Sequence, residues 1–121
     1  MAEEFDLIVL GGGRASNLAL ATAKAGWKKA LIEKDKLGGT CPNRGCVPSK
    51  LLIGFSEVAR TVRHADRHFV DAEINGIDLP KMFSSVNEWI GGVDGRYEGR
   101  MVDAGVELIR GEGKFVGHKT V

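Results

Sequence analysis

Two apolar runs cut off by polar or glycine positions stand out at the start of the chain. Phe5-Asp6-Leu7-Ile8-Val9-Leu10 carries four consecutive aliphatic residues and stops at Gly11-Gly12-Gly13, the pattern of a buried strand ending in a tight turn. Asn17 to Ala25 is rich in Ala and Leu without β-branched crowding and meets Gly26, which predicts a helix and its stop. Lys29-Ala30-Leu31-Ile32-Glu33 is a second short strand. Strand, glycine turn, helix and strand within about 30 residues form a βαβ unit, and that connection implies a parallel sheet.

The period then changes. Pro48 suits a first helical turn, and Leu51, Leu52, Phe55, Val58, Ala59 and Val62 recur at helical spacing behind it. Arg60, Arg63, His64 and Arg67 fall on another face, read as solvated rather than as a phosphate or RNA surface. A third helix is predicted from an Asp78 cap, with Met82, Phe83, Val86, Ile90, Val93, Tyr97 and Met101 as one continuous stripe. Gly91, Gly92, Gly95 and Gly99 each weaken that helix by roughly 1 kcal/mol relative to alanine. Val106 to Arg110 is predicted as a strand and Gly111-Glu112-Gly113 as a turn. Lys114 to Val116 is expected as a further strand, with another beginning at Thr120-Val121. The fold class expected is α/β, a Rossmann-like parallel sheet running into the start of a β-meander.

Composition narrows the function classes. The 121 residues are 43% hydrophobic and 27% charged, ordinary for one globular domain. Glycine is the exception, 17 residues or about twice the usual ~7%, with only three prolines, which fits tight turns and close backbone approaches better than a linker. Lys and Arg total 17 against 16 Asp and Glu, so charge suggests neither a nucleic acid nor an anionic membrane as partner. The acidic N-terminus and short apolar runs contain no recognisable signal peptide or membrane span, and a cytoplasmic location is expected.

Candidate chemistry sits in two places. Gly11-x-Gly13 follows the first strand, where backbone amides approach a pyrophosphate and a helix N-terminus favours its charge. Glu33 ends the second strand 20 positions after Gly13, where a carboxylate accepts hydrogen bonds from a ribose diol. Ser16 stands where a third fingerprint glycine is usual, small enough to keep helix and strand close. Arg14, at a position normally small, is left with two roles, reaching a phosphate or pointing to water. The second place holds the two cysteines, Cys41 and Cys46. Their spacing leaves three readings open: a redox pair, two buried thiols, or half a zinc site completed by His64 and His68.

The surrounding residues decide among these. Gly38-Gly39-Thr40-Cys41-Pro42-Asn43-Arg44-Gly45-Cys46-Val47-Pro48-Ser49-Lys50 closely resembles the active-site segment of the flavoprotein disulfide reductases. These are the class I pyridine nucleotide-disulfide oxidoreductases, which include dihydrolipoamide dehydrogenase, glutathione reductase and mercuric reductase. The pattern GGTCxNxGCxPxK is matched at every specified position, and Gly111 to Phe115 is similar to a second segment of the family.

The resemblance implies that residues 1–121 are the N-terminal portion of an FAD-binding domain, with the NAD(P)-binding and dimer-interface domains lying outside them. It implies FAD held by Gly11, Gly13, Glu33, Thr40, Lys50 and Gly113, and no metal. It implies Cys41 as the interchange thiol that attacks a substrate disulfide, and Cys46, nearer the flavin, as its electron-exchange partner. Cys46 is expected just before the helix opened by Pro48, where the dipole favours a thiolate, and Cys41 in a polar loop. The complete enzyme implied is a homodimer that moves electrons between NAD or NADP, FAD, the cysteine pair and a disulfide-containing small molecule or lipoyl group, most like the dihydrolipoamide-oxidising members. The chain alone is expected to be inactive. The alternative is a split or free-standing FAD-binding or redox-interaction module without turnover of its own.

Overall fold

The structure, a computed structural model, describes residues 2–121. Three strands, β1 (Leu7–Leu10), β2 (Lys29–Glu33) and β3 (Val106–Arg110), form one parallel sheet in the order β1-β2-β3. Leu7 pairs with Lys29, which pairs in turn with Val106, so all three strands begin level and their carboxyl ends open on the same side. The βαβ unit is therefore present as expected.

Helix α1 (Ser16–Ala21) is shorter than predicted and gives way to a 3-10 turn over Ala23–Ala25, which Gly26 ends in a left-handed conformation at φ 71°. The core lies where α1 and the late helix α5 (Val93–Asp103) pack on the sheet. Val9, Ala19, Leu31, Leu37, Met101 and Val106 are buried there, with Leu7, Leu20, Tyr97, Ala104 and Leu108 against them. Lys29 is buried at the opposite end of β2, and its ammonium donates 2.8 Å to the carbonyl of Ala104, the residue closing α5. A cation is favoured there because the last carbonyls of a helix carry partial negative charge.

The predicted third helix is two helices. Helix α4 (Leu79–Gly91) starts at Asp78, whose side chain accepts from the Lys81 N–H at 2.9 Å, as the sequence implied. It ends at Gly92, which also begins α5. Arg96 bridges the break: its guanidinium donates to the Trp89 carbonyl at 2.9 Å, lies 4.6 Å from the Trp89 ring centre and covers Gly92. The apolar period carries straight through this break, with Val86 of α4 and Val93 and Met101 of α5 buried while Phe83 is left exposed.

Two further helices carry the cysteine motif. Helix α2 (Thr40–Arg44) and helix α3 (Cys46–Arg63) meet at Gly45. Helix α3 packs on α2 and α4 and buries no residue fully. Its stripe lines an open groove of 780 Å³ with Ile74, Ile77, Leu79 and Met82, and leaves Phe55 and Val58 exposed. Residues 114–116 do not form the expected strand. The start of a β-meander is reduced to an isolated antiparallel bridge between Gly117 and Thr120, since no neighbouring strand extends alongside it. Among the described residues no helix is long and apolar enough to cross a membrane.

Candidate functional site

The carboxyl ends of three parallel strands form a shallow basin, the usual place for a nucleotide on such a sheet. A 190 Å³ cavity lies there, lined by Leu10, Gly11, Ile32, Glu33, Lys34, Gly111, Glu112 and Gly113. The structure thus brings together three residues predicted for cofactor binding, Gly11, Glu33 and Gly113, from three different segments. Gly11 has φ 93° and no atom within 4 Å of where a Cβ would stand, so its side of the basin is bare backbone. A Cβ on Gly113 would meet Leu10 Cδ2 at 2.5 Å, so the chain after β3 packs closely on the β1 side chain and a larger residue would have to displace it.

Glu33 does more locally than its sequence position suggested. One carboxylate oxygen accepts the Gly12 N–H at 2.6 Å and the other the Asp35 N–H at 2.7 Å. These bonds orient the carboxylate at the edge of the basin and leave lone pairs for hydroxyl donors. Gly12, the position skipped in the Gly11-x-Gly13 motif, is therefore a working part of the loop. Ser16 is almost wholly buried and its hydroxyl donates to the Gly13 carbonyl at 2.7 Å, tying the loop to the first turn of α1. Arg14 is exposed.

The glycine loop and the cysteine motif touch through backbone. A Cβ on Gly39 would lie 2.9 Å from the Gly13 Cα, and Gly39 has φ 72°. Gly38 donates its N–H to the Gly12 carbonyl at 2.8 Å. Gly13 thus abuts Gly39, the residue before Thr40, which opens α2, and Cys41 follows. Cys41 and Cys46 form a disulfide, with their Cα atoms 4.9 Å apart.

Two placements differ from expectation. Cys41 lies inside α2 rather than in a polar loop, and Cys46 is the first residue of α3 rather than preceding it. Helix α2 has no apolar period to announce it. It is held instead by Asn43, whose amide donates to the carbonyls of Leu37 and Gly39 at 2.9 and 2.8 Å. Both cysteines are exposed, so the bridge is open to an approaching molecule. Cys46 sits at the positive end of an 18-residue helix dipole, and Lys50, also exposed, is one turn further along the same face.

Sequence reasoning missed Leu37, Asp94 and Arg110. Leu37 donates its N–H to Asp94 at 2.7 Å, and Arg110 grips both oxygens of Asp94 at 3.0 and 2.9 Å. The Arg110 guanidinium, with the Leu37 N–H, holds the Asp94 carboxyl below its ordinary range. Arg44 does the same for Asp35. No local pattern announces these pairs. Among the described residues no cluster of three or more His, Cys, Asp or Glu is placed to hold a metal ion.

Comparison with known proteins agrees with this geometry. The family described as pyridine nucleotide-disulphide oxidoreductase matches residues 5–121. The chain is 36% identical to dihydrolipoyl dehydrogenase of Chlamydia pneumoniae over 96% of its own length and 25% of that protein's. It is 48% identical over 80 residues to a dihydrolipoyl dehydrogenase of Bacillus subtilis, covering 65% of this chain and 16% of that one. It is also 33% identical to mercuric reductase of Bacillus cereus over 98% of its length and 19% of that enzyme's. The chain therefore spans a quarter or less of these relatives. With the disulfide, the glycine loop and the matched motif in one place, the chain belongs to the pyridine nucleotide-disulphide oxidoreductase family.

Proposed function

We propose that residues 1–121 are the N-terminal, FAD-binding and disulfide-bearing part of an NAD(P)H-linked flavoprotein oxidoreductase, most like dihydrolipoyl dehydrogenase. The observation that carries this is the Cys41–Cys46 disulfide, set beside the glycine loop and exposed to solvent. The basin supports FAD binding through part of the cofactor, its ribose and pyrophosphate: bare backbone at Gly11, close chain approach at Gly113, and an oriented carboxylate at Glu33. Gly13, Thr40 and Lys50 are assigned to FAD as well, on the matched motif. When bound, FAD supplies the two-electron link between NADH or NADPH and the disulfide.

The chain's own part is thiol chemistry. Two electrons and two protons open the bridge to two thiols. Cys41, as thiolate, attacks one sulfur of a substrate disulfide, and the departing sulfur takes up a proton. Cys46 then attacks the Cys41 Sγ, restoring the bridge and releasing the second substrate thiol. Cys46 suits the flavin-side role because the α3 dipole favours its thiolate. Substrates of this class are small disulfides or a lipoyl group, and the complete enzyme is a cytoplasmic homodimer.

The nicotinamide site and an acid–base partner for Cys41 are assigned to chain outside these residues. The test is to purify the 121-residue chain, add FAD, and follow both its thiol count and NAD(P)H absorbance with a disulfide substrate present. A bridge that opens with dithiol and re-forms in air, with no NAD(P)H consumption, is expected. Cysteines that never form a bridge overturn the redox role. Sustained NAD(P)H consumption overturns the division of labour.

A further inference from the structure

The segment between β2 and α2 is held from four directions. The Leu37 N–H donates to Oδ1 of Asp94, and the carbonyls of Leu37 and Gly39 both accept from the Asn43 amide. The Gly38 N–H donates to the carbonyl of Gly12, and the Leu37 side chain is fully buried. Three residues after Leu37 the chain enters α2, with Cys41 in its first turn. Asn43 is local, Gly12 belongs to the glycine loop, and the Leu37 side chain packs in the shared core with Met101 of α5 and Val106 of β3. Asp94 is the distant polar anchor of the Leu37 backbone, 57 positions away in the first turn of α5. It is itself fixed by a two-pronged contact with Arg110 on β3, whose guanidinium also reaches Glu98 at 2.9 Å and the Asp35 carbonyl at 3.2 Å. Such forked pairs give direction as well as attraction.

We propose that Asp94, held by Arg110, is a positioning residue for the Cys41–Cys46 couple: it anchors Leu37, and through Leu37 the entry to α2, so that Cys41 stays within bonding reach of Cys46 when the pair is reduced. This rests on the two cysteines being a redox couple. In the oxidised chain the disulfide ties α2 to α3 covalently. After reduction that tie is gone, and α2 has five residues, far too few to persist as an isolated helix. Its position then depends on the noncovalent restraints alone, and the Asp94 anchor is one of them. Two thiols held close have a high effective concentration for ring closure, which favours the disulfide. Loosening the anchor makes closure order the segment again, so the disulfide becomes easier to reduce.

The test equilibrates the full 121-residue chain, without oxygen, in mixtures of reduced and oxidised dithiothreitol. The reagent's two thiols close to its cyclic disulfide, and the two electrons and two protons they lose open Cys41–Cys46 to two thiols. Alkylation and mass measurement give the ratio. Asp94→Ala removes the acceptor for Leu37; Asp94→Asn keeps an oxygen but loses the charge that Arg110 grips. Glu98→Gln removes the other carboxylate on Arg110 without touching Leu37.

Asp94→Ala should shift the equilibrium towards dithiol by about tenfold, ~30 mV for a two-electron couple. Asp94→Asn should shift it less in the same direction, and Glu98→Gln should stay within about twofold of wild type, as for an exposed ion pair. Circular dichroism checks that each variant is folded. A folded Asp94→Ala with the wild-type equilibrium overturns the positioning role, and so does a Glu98→Gln shift as large. If Asp94→Ala does not fold, Asp94→Asn decides, and a value equal to that of Glu98→Gln overturns it. A wild-type chain that stays a dithiol in fully oxidised reagent is a separate failure, of the redox couple itself, and removes the positioning role with it.

Discussion

Glu33 and Gly12, 21 positions apart, are joined by a 2.6 Å hydrogen bond from the glycine N–H to the carboxylate. Gly12 is buried, and a Cβ there would collide with Leu37 Cδ2 and come within 3.1 Å of Glu33 Oε2. One carboxylate therefore shapes the glycine loop and faces the basin where a ribose is proposed to lie. The two roles separate experimentally, because one is read without any ligand.

Glu33→Ala leaves the buried Gly12 N–H without its acceptor, a cost of about 1–3 kcal/mol. The urea midpoint of the ligand-free chain should fall accordingly. In a polypeptide long enough to hold flavin, FAD affinity should also fall, by about 1.5–3 kcal/mol for a lost charge-assisted bond. An unchanged midpoint would remove the structural role, and unchanged FAD affinity the ribose role.

Glycine substitutions should split by sign. Gly39→Ala places a Cβ 2.9 Å from the Gly13 backbone at a φ of 72°, and neither can yield cheaply. The backbone conformation alone costs about 1–3 kcal/mol for a residue other than glycine. Gly95→Ala and Gly99→Ala meet open space within α5, and each should stabilise the chain by roughly 0.5–1 kcal/mol. Thermal melts of the three variants test the contrast; a stabilising Gly39→Ala would show that the two loops do not abut.

Acid should weaken the fold through Asp94. Its carboxyl is held below the ordinary 3.8 chiefly by the hydrogen bond from Arg110, so the folded state prefers the ionised form more than the unfolded chain does. The resulting stability is present in full above the unfolded value and is lost as pH falls below 3.8 through the lowered folded value. Asp35, lowered by Arg44, adds a component of the same sign. Urea midpoints between neutral pH and the acid limit should fall less steeply for Asp94→Asn than for wild type. Parallel curves would exclude Asp94 as a source of the slope.

Lys29→Ala should destabilise the chain although Lys29 lies at the end of β2 opposite the basin. The substitution removes the 2.8 Å bond to the Ala104 carbonyl and opens a space at the buried end of β2. A hydrogen bond to a charged donor contributes about 1.5–3 kcal/mol. Chemical denaturation measures it, and a wild-type midpoint would show that the carbonyl finds water instead.

What the amino-acid sequence determined by itself was local. The run from Leu7 to Leu10, the stop at Gly26 and the Asp78 cap depend on neighbours within a few positions, and each is found where the pattern put it. The cysteine motif is equally local, with partners five residues apart. The tertiary structure decided everything that needs distant segments to meet. Helix α2 exists without an apolar period because Asn43 and the buried Leu37 hold it against the glycine loop. The helix carrying the long stripe from Met82 to Met101 is broken at Gly92, where Arg96 turns back onto Trp89, an interaction a 3.6-residue period does not encode. Leu37 with Asp94, and Lys29 with Ala104, join positions 57 and 75 residues apart. Asp94 and Lys29 have ordinary surface side chains and their partners here are backbone groups; only the stacking of β3 and α5 on the first βαβ unit converts them into anchors.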